Sequence, residues 1–157
     1  VEIGKEFAQL SGRDYDLIER YMLEDAKIAI VALGSTAGTA KVVIDELREQ
    51  GIKAGLLKIR VFRPFPAKEI ADALQHIAAV AVMDRSDGIS GRGGPVFGEI
   101  LSALYSLPVK PFVVNYVYGL GGRDTDMEQI QGVCQDLQKI AAESLIDQPI
   151  KYLGVRE

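Results

Sequence analysis

Short apolar runs alternate with amphipathic stretches along most of the chain. The apolar runs are nearly continuous in Val, Ile, Leu and Ala, which is typical of strands that are covered on both faces. These predicted core strands are Lys27–Leu33, Ile52–Phe62, Ala78–Met83 and Pro111–Val117. After each of them, apolar residues recur at three- and four-residue spacing, which predicts helices. The first predicted helix ends at residue 50, and the others cover 66–76, 96–105 and 127–143.

This order of elements predicts an α/β fold. Strands that alternate with helices through short links form a mostly parallel sheet with helices on both of its faces. Residues 26–145 are expected to form this α/β domain, and residues 146–157 a C-terminal tail. Residues 1–25 are expected to form a lead-in that packs on the domain, with a short edge strand at Val1–Phe7 and a helix at Asp14–Leu23.

Composition excludes several classes of function. The length of 157 residues suits one domain with a single sizeable core. The net charge is −4 and no basic block occurs, so nucleic acid is not an expected partner. No apolar run reaches the ~18–20 residues that span a bilayer, and the first residues do not resemble a secretory signal. We therefore expect no membrane partner and a cytoplasmic location.

The chain has one cysteine, Cys134, and one histidine, His76. A single cysteine cannot form an intrachain disulfide, which fits a reducing compartment. The two side chains together cannot supply the ligands of a zinc or iron–sulfur site. Cys134 lies on an apolar helical stripe and is expected to be buried, while His76 is expected to close a helix. No catalytic constellation is found, and no catalytic, cofactor-binding or metal-ligating residue is assigned to this chain.

The most distinctive stretch is YVYGLGGRDTD, residues 116–126, between the last core strand and the last helix. Gly119, Gly121 and Gly122 leave three backbone positions without a Cβ atom, and Arg123 and Asp124 follow at once. Thr125 and Glu128 have the spacing of a capping box. A loop this rich in glycine and charge is a candidate for a working surface.

Arginines follow the ends of several predicted strands. The carboxyl ends of parallel strands share one edge of a sheet, where ligands of such sheets gather. Arg63, Arg85, Arg92 and Arg123 are therefore expected at that edge, with the turn Gly34–Gly38. Because Asp84, Asp87, Asp124 and Asp126 lie beside them in the sequence, three interpretations stay open: a contact with another domain or subunit, internal ion pairs, or a small anion site.

Two further motifs have ordinary explanations. Gly34–Lys41 contains a glycine turn before a helix but lacks the spacing of a phosphate-binding loop, so a tight strand-to-helix turn is the favoured interpretation. Arg63, Pro64, Phe65 and Pro66 end a predicted strand, and Pro66 suits the first turn of a helix. Phe65 between two prolines is alternatively a knob for docking.

Three stretches occur together in one order: VALGSTAGTAKVVIDELREQGIKAGLLKIRVFRPFP, AVMDRSDGISGRGGPVFGEI and YVYGLGGRDT. In this combination the sequence resembles the C-terminal part of the α subunit of pyruvate:ferredoxin oxidoreductase, in the 2-oxoacid:ferredoxin oxidoreductase family. The resemblance extends over about residues 14–130, and the ending KYLGVRE also resembles the end of that subunit. GLGGRD favours the pyruvate-type branch, and oxalate-using relatives stay open. The chain begins with Val and is expected to be a piece of a longer protein or a processed one.

The resemblance implies a transketolase C-terminal-domain-like fold. This is a three-layer α/β/α sandwich whose mostly parallel sheet has about five strands, one early strand being antiparallel. It also implies an enzyme that converts pyruvate and coenzyme A to acetyl-CoA and CO2 and reduces ferredoxin. The thiamine diphosphate, magnesium and iron–sulfur clusters of such enzymes are expected in the preceding domain and the other subunits, with none bound by this chain.

The role that the resemblance implies for this chain is structural, and the isolated fragment is expected to be inactive. Its expected partners are the preceding thiamine-binding domain and the other subunits. The alternative is a stand-alone module that binds a small anion at the arginine-rich edge. The residues expected to contact the partners are Arg63, Pro64, Phe65, Asp84, Arg85, Gly119, Gly121, Gly122, Arg123 and Asp124.

Overall fold

A six-stranded sheet organises the part of the chain that the computed structural model describes, residues 1–13, 15–89 and 91–155. The strands lie in the order β1-β3-β2-β4-β5-β6. β1 pairs antiparallel with β3, and the other pairs are parallel. The strands are β1 (Ile18–Tyr21), β2 (Ile28–Leu33), β3 (Ala54–Ile59), β4 (Ala79–Asp84), β5 (Phe112–Val117) and β6 (Ile150–Tyr152).

The helices flank this sheet on both faces. They are α1 (Glu2–Ser11), α2 (Thr36–Glu49), α3 (Ala67–Leu74), α4 (Pro95–Leu104) and α5 (Met127–Glu143), and a 3-10 turn covers Leu120–Gly122. One core cluster contains side chains of α2 and α5, and a second contains side chains of α3 and α4. Alternate residues of β2 separate accordingly: Ile28 and Ile30 belong to the first cluster, whereas Ala29 and Val31 belong to the second. The predicted α/β sandwich is confirmed.

The lead-in differs from its prediction. Residues 2–11 form helix α1, so the edge strand expected at Val1–Phe7 is wrong. The helix expected at Asp14–Leu23 is also wrong over the described residues, because Ile18–Tyr21 is a strand; Asp14 itself lies outside them. Ile18 packs in the α3–α4 cluster and Tyr21 against the α2–α5 cluster. Residues three apart lie on one face of a helix but on opposite faces of a strand. Pairing with β3 selects the strand here.

Part of the expected tail belongs to the sheet. Ile150–Tyr152 forms β6 and pairs with β5, which makes six strands where about five were expected. Lys151 holds this strand to α5, because its Nζ lies 2.5 Å from Oδ2 of Asp136. The hydroxyl of the buried Tyr116 in β5 donates to the same oxygen. Three residues are too short a stretch to be recognised as a strand without these contacts.

The Asp136 contacts predict a pH-dependent contribution to stability. Burial alone would raise the pKa of Asp136, but hydrogen bonds from Lys151 and Tyr116 outweigh it and hold the pKa below its usual value of 3.8. A lowered folded-state pKa adds stability above about pH 4, and this stability is lost as the pH falls through the lowered pKa. We expect Asp136→Asn to cost about 1 kcal/mol at pH 7 in urea unfolding, and progressively less below pH 4.

The matched control for this experiment is Asp72→Asn. Asp72 makes an exposed ion pair with Lys68 within α3, so its loss should change the unfolding free energy little at any pH. A cost of Asp136→Asn that stays constant between pH 3 and pH 7 would show that the charge of Asp136 is not what holds β6.

Candidate functional site

Two adjoining recesses lie where β2, β4 and β5 end. The first, the apolar recess, has a volume of about 320 Å3, and its wall includes Leu33, Phe62, Met83 and Val96. The second, the polar recess, has a volume of about 260 Å3, and its wall includes Arg85 and Arg123. The two recesses share the residues Ser35, Thr36, Arg85 and Tyr118.

The turns after the parallel strands bring these side chains together. β2 ends at Leu33, and Gly34 takes a left-handed conformation with φ of 63° before α2 begins at Thr36. A tight strand-to-helix turn was the favoured interpretation of this stretch, and the structure confirms it. The hydroxyls of Thr36 and Tyr118 are buried and lie 2.7 Å apart, so the loops after β2 and β5 are joined by a hydrogen bond. This bond fixes the wall that the two recesses share.

Asp84, the last residue of β4, forms the buried floor of the site and is 1% exposed. Its Oδ1 accepts a hydrogen bond from the backbone N–H of Val96 at 2.9 Å, and its Oδ2 accepts one from the N–H of Phe97 at 3.0 Å. These are N–H groups of the first turn of α4, which has no partner within the helix for them. Burial raises the pKa of Asp84, and these hydrogen bonds oppose the rise.

Asn115 completes this floor, and the sequence analysis missed it. Its side chain is fully buried; it donates to Val82 O at 2.9 Å and to Asp84 Oδ2 at 3.0 Å, and accepts from Gly94 N at 2.8 Å. A lone amide inside the apolar run PFVVNYV was a signal, because a buried polar group requires partners. Asn115 thus links β4, β5 and the start of α4.

The glycine pair before α4 is required by this buried floor. A Cβ atom on Gly93 would lie 2.6 Å from Asn115 Oδ1, and one on Gly94 would lie 2.2 Å from Asp84 Cγ. Real Cβ atoms essentially never come within 3.0 Å of such neighbours. The GG of the SGRGGP stretch therefore permits the backbone to lie directly on the two polar side chains.

The glycine-rich loop after β5 uses glycine at three left-handed positions. Gly119, Gly121 and Gly122 have φ of 68°, 70° and 77°, a left-handed region that L side chains rarely adopt. A Cβ atom on Gly119 would lie 3.0 Å from Nε of Arg85, so the guanidinium group packs over this glycine. The loop therefore supports Arg85 at the polar recess.

The start of α5 differs by one residue from the predicted capping box. The N-cap residue is Asp126, and its Oδ1 accepts a hydrogen bond from Gln129 N at 2.8 Å. Thr125 instead contributes to the wall of the polar recess. The two stretches TDME and DMEQ both contain a good cap followed by an acidic or amide side chain three residues on, so spacing alone did not separate them.

Two of the four edge arginines share the polar recess. Arg85 is exposed there, and no hydrogen bond or ion pair of its guanidinium is found within residues 1–13, 15–89 and 91–155. Nη1 of Arg123 donates to the carbonyl of Gly154, which anchors the side chain to the segment after β6. Asp124 also lines this recess, whereas Arg92 lines neither recess.

The residues of the segment Arg63–Phe65 are not among those that line the two recesses. Nη2 of Arg63 lies 2.7 Å from Oε1 of Glu99 on α4, and its guanidinium lies 4.2 Å from the ring centre of Phe62. Phe65 is half-buried and packs edge-on against Phe62, with ring centres 5.8 Å apart; Pro64 is exposed. Arg63 therefore forms an internal ion pair, and the ring of Phe65 is partly used in packing within the chain.

The described residues offer few side chains that could bind a metal or take part in redox chemistry. No cluster of three or more His, Cys, Asp or Glu side chains in this part of the chain is arranged to hold a metal ion. Cys134 is buried in α5, as predicted, and burial raises the pKa of its thiol to about 12. A buried neutral thiol is a poor metal ligand and nucleophile. No helix in the ranges described is long and apolar enough to cross a membrane.

Solved structures with a similar fold include two enzymes of related architecture. A split-gene transketolase matches with a TM-score of 0.63 at 15% identity, over 83% of this chain and 45% of that chain. A 2-oxoglutarate:ferredoxin oxidoreductase from Magnetococcus marinus matches with a TM-score of 0.58 at 19% identity, over 84% of this chain and 21% of that chain. The transketolase-like fold that the resemblance implied is confirmed.

Sequence comparisons identify the family. The chain is 44% identical to the pyruvate synthase subunit PorA of Thermotoga maritima over 99% of its length. It is 37% identical to the ketoisovalerate oxidoreductase subunit VorA of Pyrococcus horikoshii over 98% of the present chain. The chain spans only 39% of the length of each of these two relatives. The family described as pyruvate:ferredoxin oxidoreductase core domain II matches residues 26–130. The chain therefore belongs to the pyruvate:ferredoxin oxidoreductase core domain II family.

Proposed function

We propose that this chain is the assembly domain of a pyruvate-type 2-oxoacid:ferredoxin oxidoreductase and docks on the rest of the enzyme through the carboxyl edge of its sheet. The whole enzyme would convert pyruvate, coenzyme A and oxidised ferredoxin to acetyl-CoA, CO2 and reduced ferredoxin. Thiamine diphosphate, held elsewhere in the assembly, would supply the carbanion stabilisation that decarboxylation needs. The higher identity to the pyruvate synthase subunit, 44% against 37% for the ketoisovalerate oxidoreductase subunit, and the GLGGRD stretch support this assignment.

The observation that carries the docking role is the exposed apolar surface near this edge. Ile3 and Leu10 on one face of α1 are 80% and 88% exposed, and Ile89 in the loop after β4 is fully exposed. The ring of Phe7 in α1 lies 5.8 Å from that of Tyr15, and Tyr15 lies 5.2 Å from the guanidinium of Arg60, just beyond β3. This puts α1 beside the carboxyl end of β3. Apolar side chains that are exposed at such an edge are found in protein–protein contacts.

The arginine-lined recess supports the same role. Guanidinium groups bind carboxylates through two parallel hydrogen bonds, and arginine is enriched where interfaces bury their strongest contacts. Arg85 is positioned by Gly119 and projects at the edge. The buried Asp84 and the half-buried Phe65 would stiffen the edge from inside, whereas Arg85, Gly121, Gly122, Arg123 and Asp124 would meet the partner.

The work of this chain is then to position other groups. Among the described residues that line the recesses, no hydroxyl is hydrogen-bonded to a carboxylate; the polar atoms there belong to arginines, hydroxyls and carboxylates. Thiamine enzymes react in pockets from which water is excluded, and such pockets need rigid walls at domain junctions. An edge braced by the hydrogen bonds of Asp84 and Asn115 is suited to hold such a junction in register.

Reconstitution tests the proposal. The 157-residue chain would be mixed with an enzyme complex that lacks this domain, and assembly would be followed by size-exclusion chromatography and by pyruvate-dependent viologen reduction. Co-elution with restored reduction is the expected result. Co-elution without reduction would leave docking in place and assign a role to the covalent link with the preceding domain. A folded chain that does not bind would contradict the proposal.

The variant that tests the edge most cleanly is Arg85→Ala in the whole enzyme. Arg85 has no internal hydrogen bond within the described residues, so its removal should leave folding unchanged, whereas Arg123 also holds the carbonyl of Gly154. We expect about tenfold weaker assembly, the effect of losing one charged contact worth ~1.4 kcal/mol. Lys110→Ala, which removes a positive charge just before β5 at the opposite edge, is the control. Equal assembly and turnover of the two variants would remove Arg85 from the interface.

A further inference from the structure

We propose that the two adjoining recesses together form a binding site for a small amphiphilic oxyanion, a carboxylate or phosphate group attached to an apolar body about the size of one ring. The anionic group would lie between Arg85 and Arg123, and the apolar body would fill the neighbouring recess. Neither the family match nor docking on other subunits requires such a site. It is tested on the chain alone, so its failure and the failure of docking are separate outcomes.

The anionic half is defined by two guanidinium groups in one recess. Arg123 is held in place by a hydrogen bond to the carbonyl of Gly154, and the side chain of Arg85 lies over Gly119. An arginine anchored as Arg123 is loses little side-chain freedom on binding, so its hydrogen bonds to an oxyanion are worth more. Among the described residues that line this recess, Asp124 is the one carboxylate, so two positive charges face one negative charge there. The recess therefore favours an anion.

Hydroxyl groups surround the two arginines. Ser35, Thr39 and Thr125 line the same recess, and each can donate a hydrogen bond to an oxygen of a ligand. Ser35 also precedes the first turn of α2, a helix of 14 residues whose N-terminal dipole adds to the positive potential. The arginines define the site, and the hydroxyls and the helix end add to it.

The apolar half lies directly beside the anionic half. Its wall includes Leu33, Phe62, Met83 and Val96, and its volume is about 320 Å3. This is near the lower end of the range of volumes of small-molecule sites, ~300 Å3. Arg85 and Tyr118 line both recesses, so a ligand can cross between them without leaving the protein surface. A pocket with an apolar body and a few convergent polar groups is the usual form of a ligand site.

The experiment is an NMR titration of the 157-residue chain with phenyl phosphate and with phenylacetate. Inorganic phosphate and benzyl alcohol each represent one half of the ligand. We expect saturable shifts of the amide signals of Ser35, Thr36, Arg85 and Tyr118, with at least one amphiphilic probe binding about tenfold tighter than either half. The two probes show whether the site prefers a phosphate or a carboxylate. Binding of neither probe, or binding no tighter than that of the halves, would overturn the proposal.

Two variants separate the halves of the site. Arg85→Ala should weaken the preferred probe about tenfold, whereas Lys110→Ala at the opposite edge should leave binding unchanged. Ser86→Phe places a ring at the exposed rim of the apolar recess, and it should weaken the preferred probe while leaving inorganic phosphate unaffected. Equal binding by Arg85→Ala and Lys110→Ala would show that the anion does not lie between the arginines. Unchanged binding by Ser86→Phe would show that the apolar recess is not used.

Discussion

Replacing Gly94 by alanine is expected to destabilise the chain by about 3 kcal/mol, because the new methyl group would overlap the buried carboxylate of Asp84. The Cβ atom would lie 2.2 Å from Asp84 Cγ and 2.3 Å from Asp84 Cβ. Neither atom can move away easily, since Asp84 is 1% exposed and accepts a hydrogen bond from the start of α4. Thermal unfolding should report a midpoint lower by roughly 10 °C for a chain of this size.

Gly98→Ala, four residues further along, is the matched control. Gly98 lies inside α4 and is exposed, and an added Cβ atom would meet nothing within 4 Å. Alanine is preferred to glycine in a helix by up to about 1 kcal/mol, so this variant should be slightly more stable than the parent chain. The two substitutions make the same chemical change with opposite expected signs. Equal stability of the two variants would mean that the backbone at Gly94 does not lie against Asp84.

The central strands could be predicted because burial on both faces leaves a clear pattern. The strand predicted at Lys27–Leu33 corresponds to β2 at Ile28–Leu33, and the strand predicted at Ala78–Met83 corresponds to β4 at Ala79–Asp84. The parallel arrangement of these strands also explains why Arg85 and Arg123, which follow β4 and β5, line one recess. A rule about strand ends requires only the order of elements, so it succeeds without knowledge of the packing.

The edges of the sheet could not be predicted in the same way. Ile18 and Tyr21 fit a helical spacing as well as a strand, and only the partner strand β3 decides between them. β6 is three residues long and is held by Lys151 and Tyr116 through Asp136. In both places the contacts are between residues far apart in sequence, and local pattern carries no record of them.

The roles of individual polar side chains depended on helix placement. Asp84 was expected to contact a partner with Arg85, yet the two neighbours point to different environments, one buried at the start of α4 and one exposed. Arg63 forms an ion pair with Glu99 of α4, a residue far from it in the sequence. The sequence brought these residues to one edge, but whether each is buried or exposed was fixed by the packing of α4. The contact role of the exposed ones stays a prediction.

Asp84→Ala is the second change with a large expected effect, a loss of about 3 kcal/mol in the free energy of unfolding. The carboxylate accepts hydrogen bonds from Val96 N, Phe97 N and Asn115 Nδ2, and all three donors lie in a buried environment. Alanine removes the acceptor and leaves these donors without it, and each buried unsatisfied donor costs about 1–3 kcal/mol before water enters. Urea unfolding of the variant against the parent chain measures the loss directly.

Asp126→Ala separates the effect of burial from that of capping. Asp126 accepts a backbone hydrogen bond at the start of α5 just as Asp84 does at the start of α4, but Asp126 is exposed. Water can replace an exposed cap, so we expect Asp126→Ala to cost about 1 kcal/mol. Asp84→Asn, which keeps the shape and one acceptor, should fall between the two alanine variants. If Asp84→Ala cost no more than Asp126→Ala, the site would be held by the surrounding apolar packing, and the buried floor would not be what keeps the two recesses in shape.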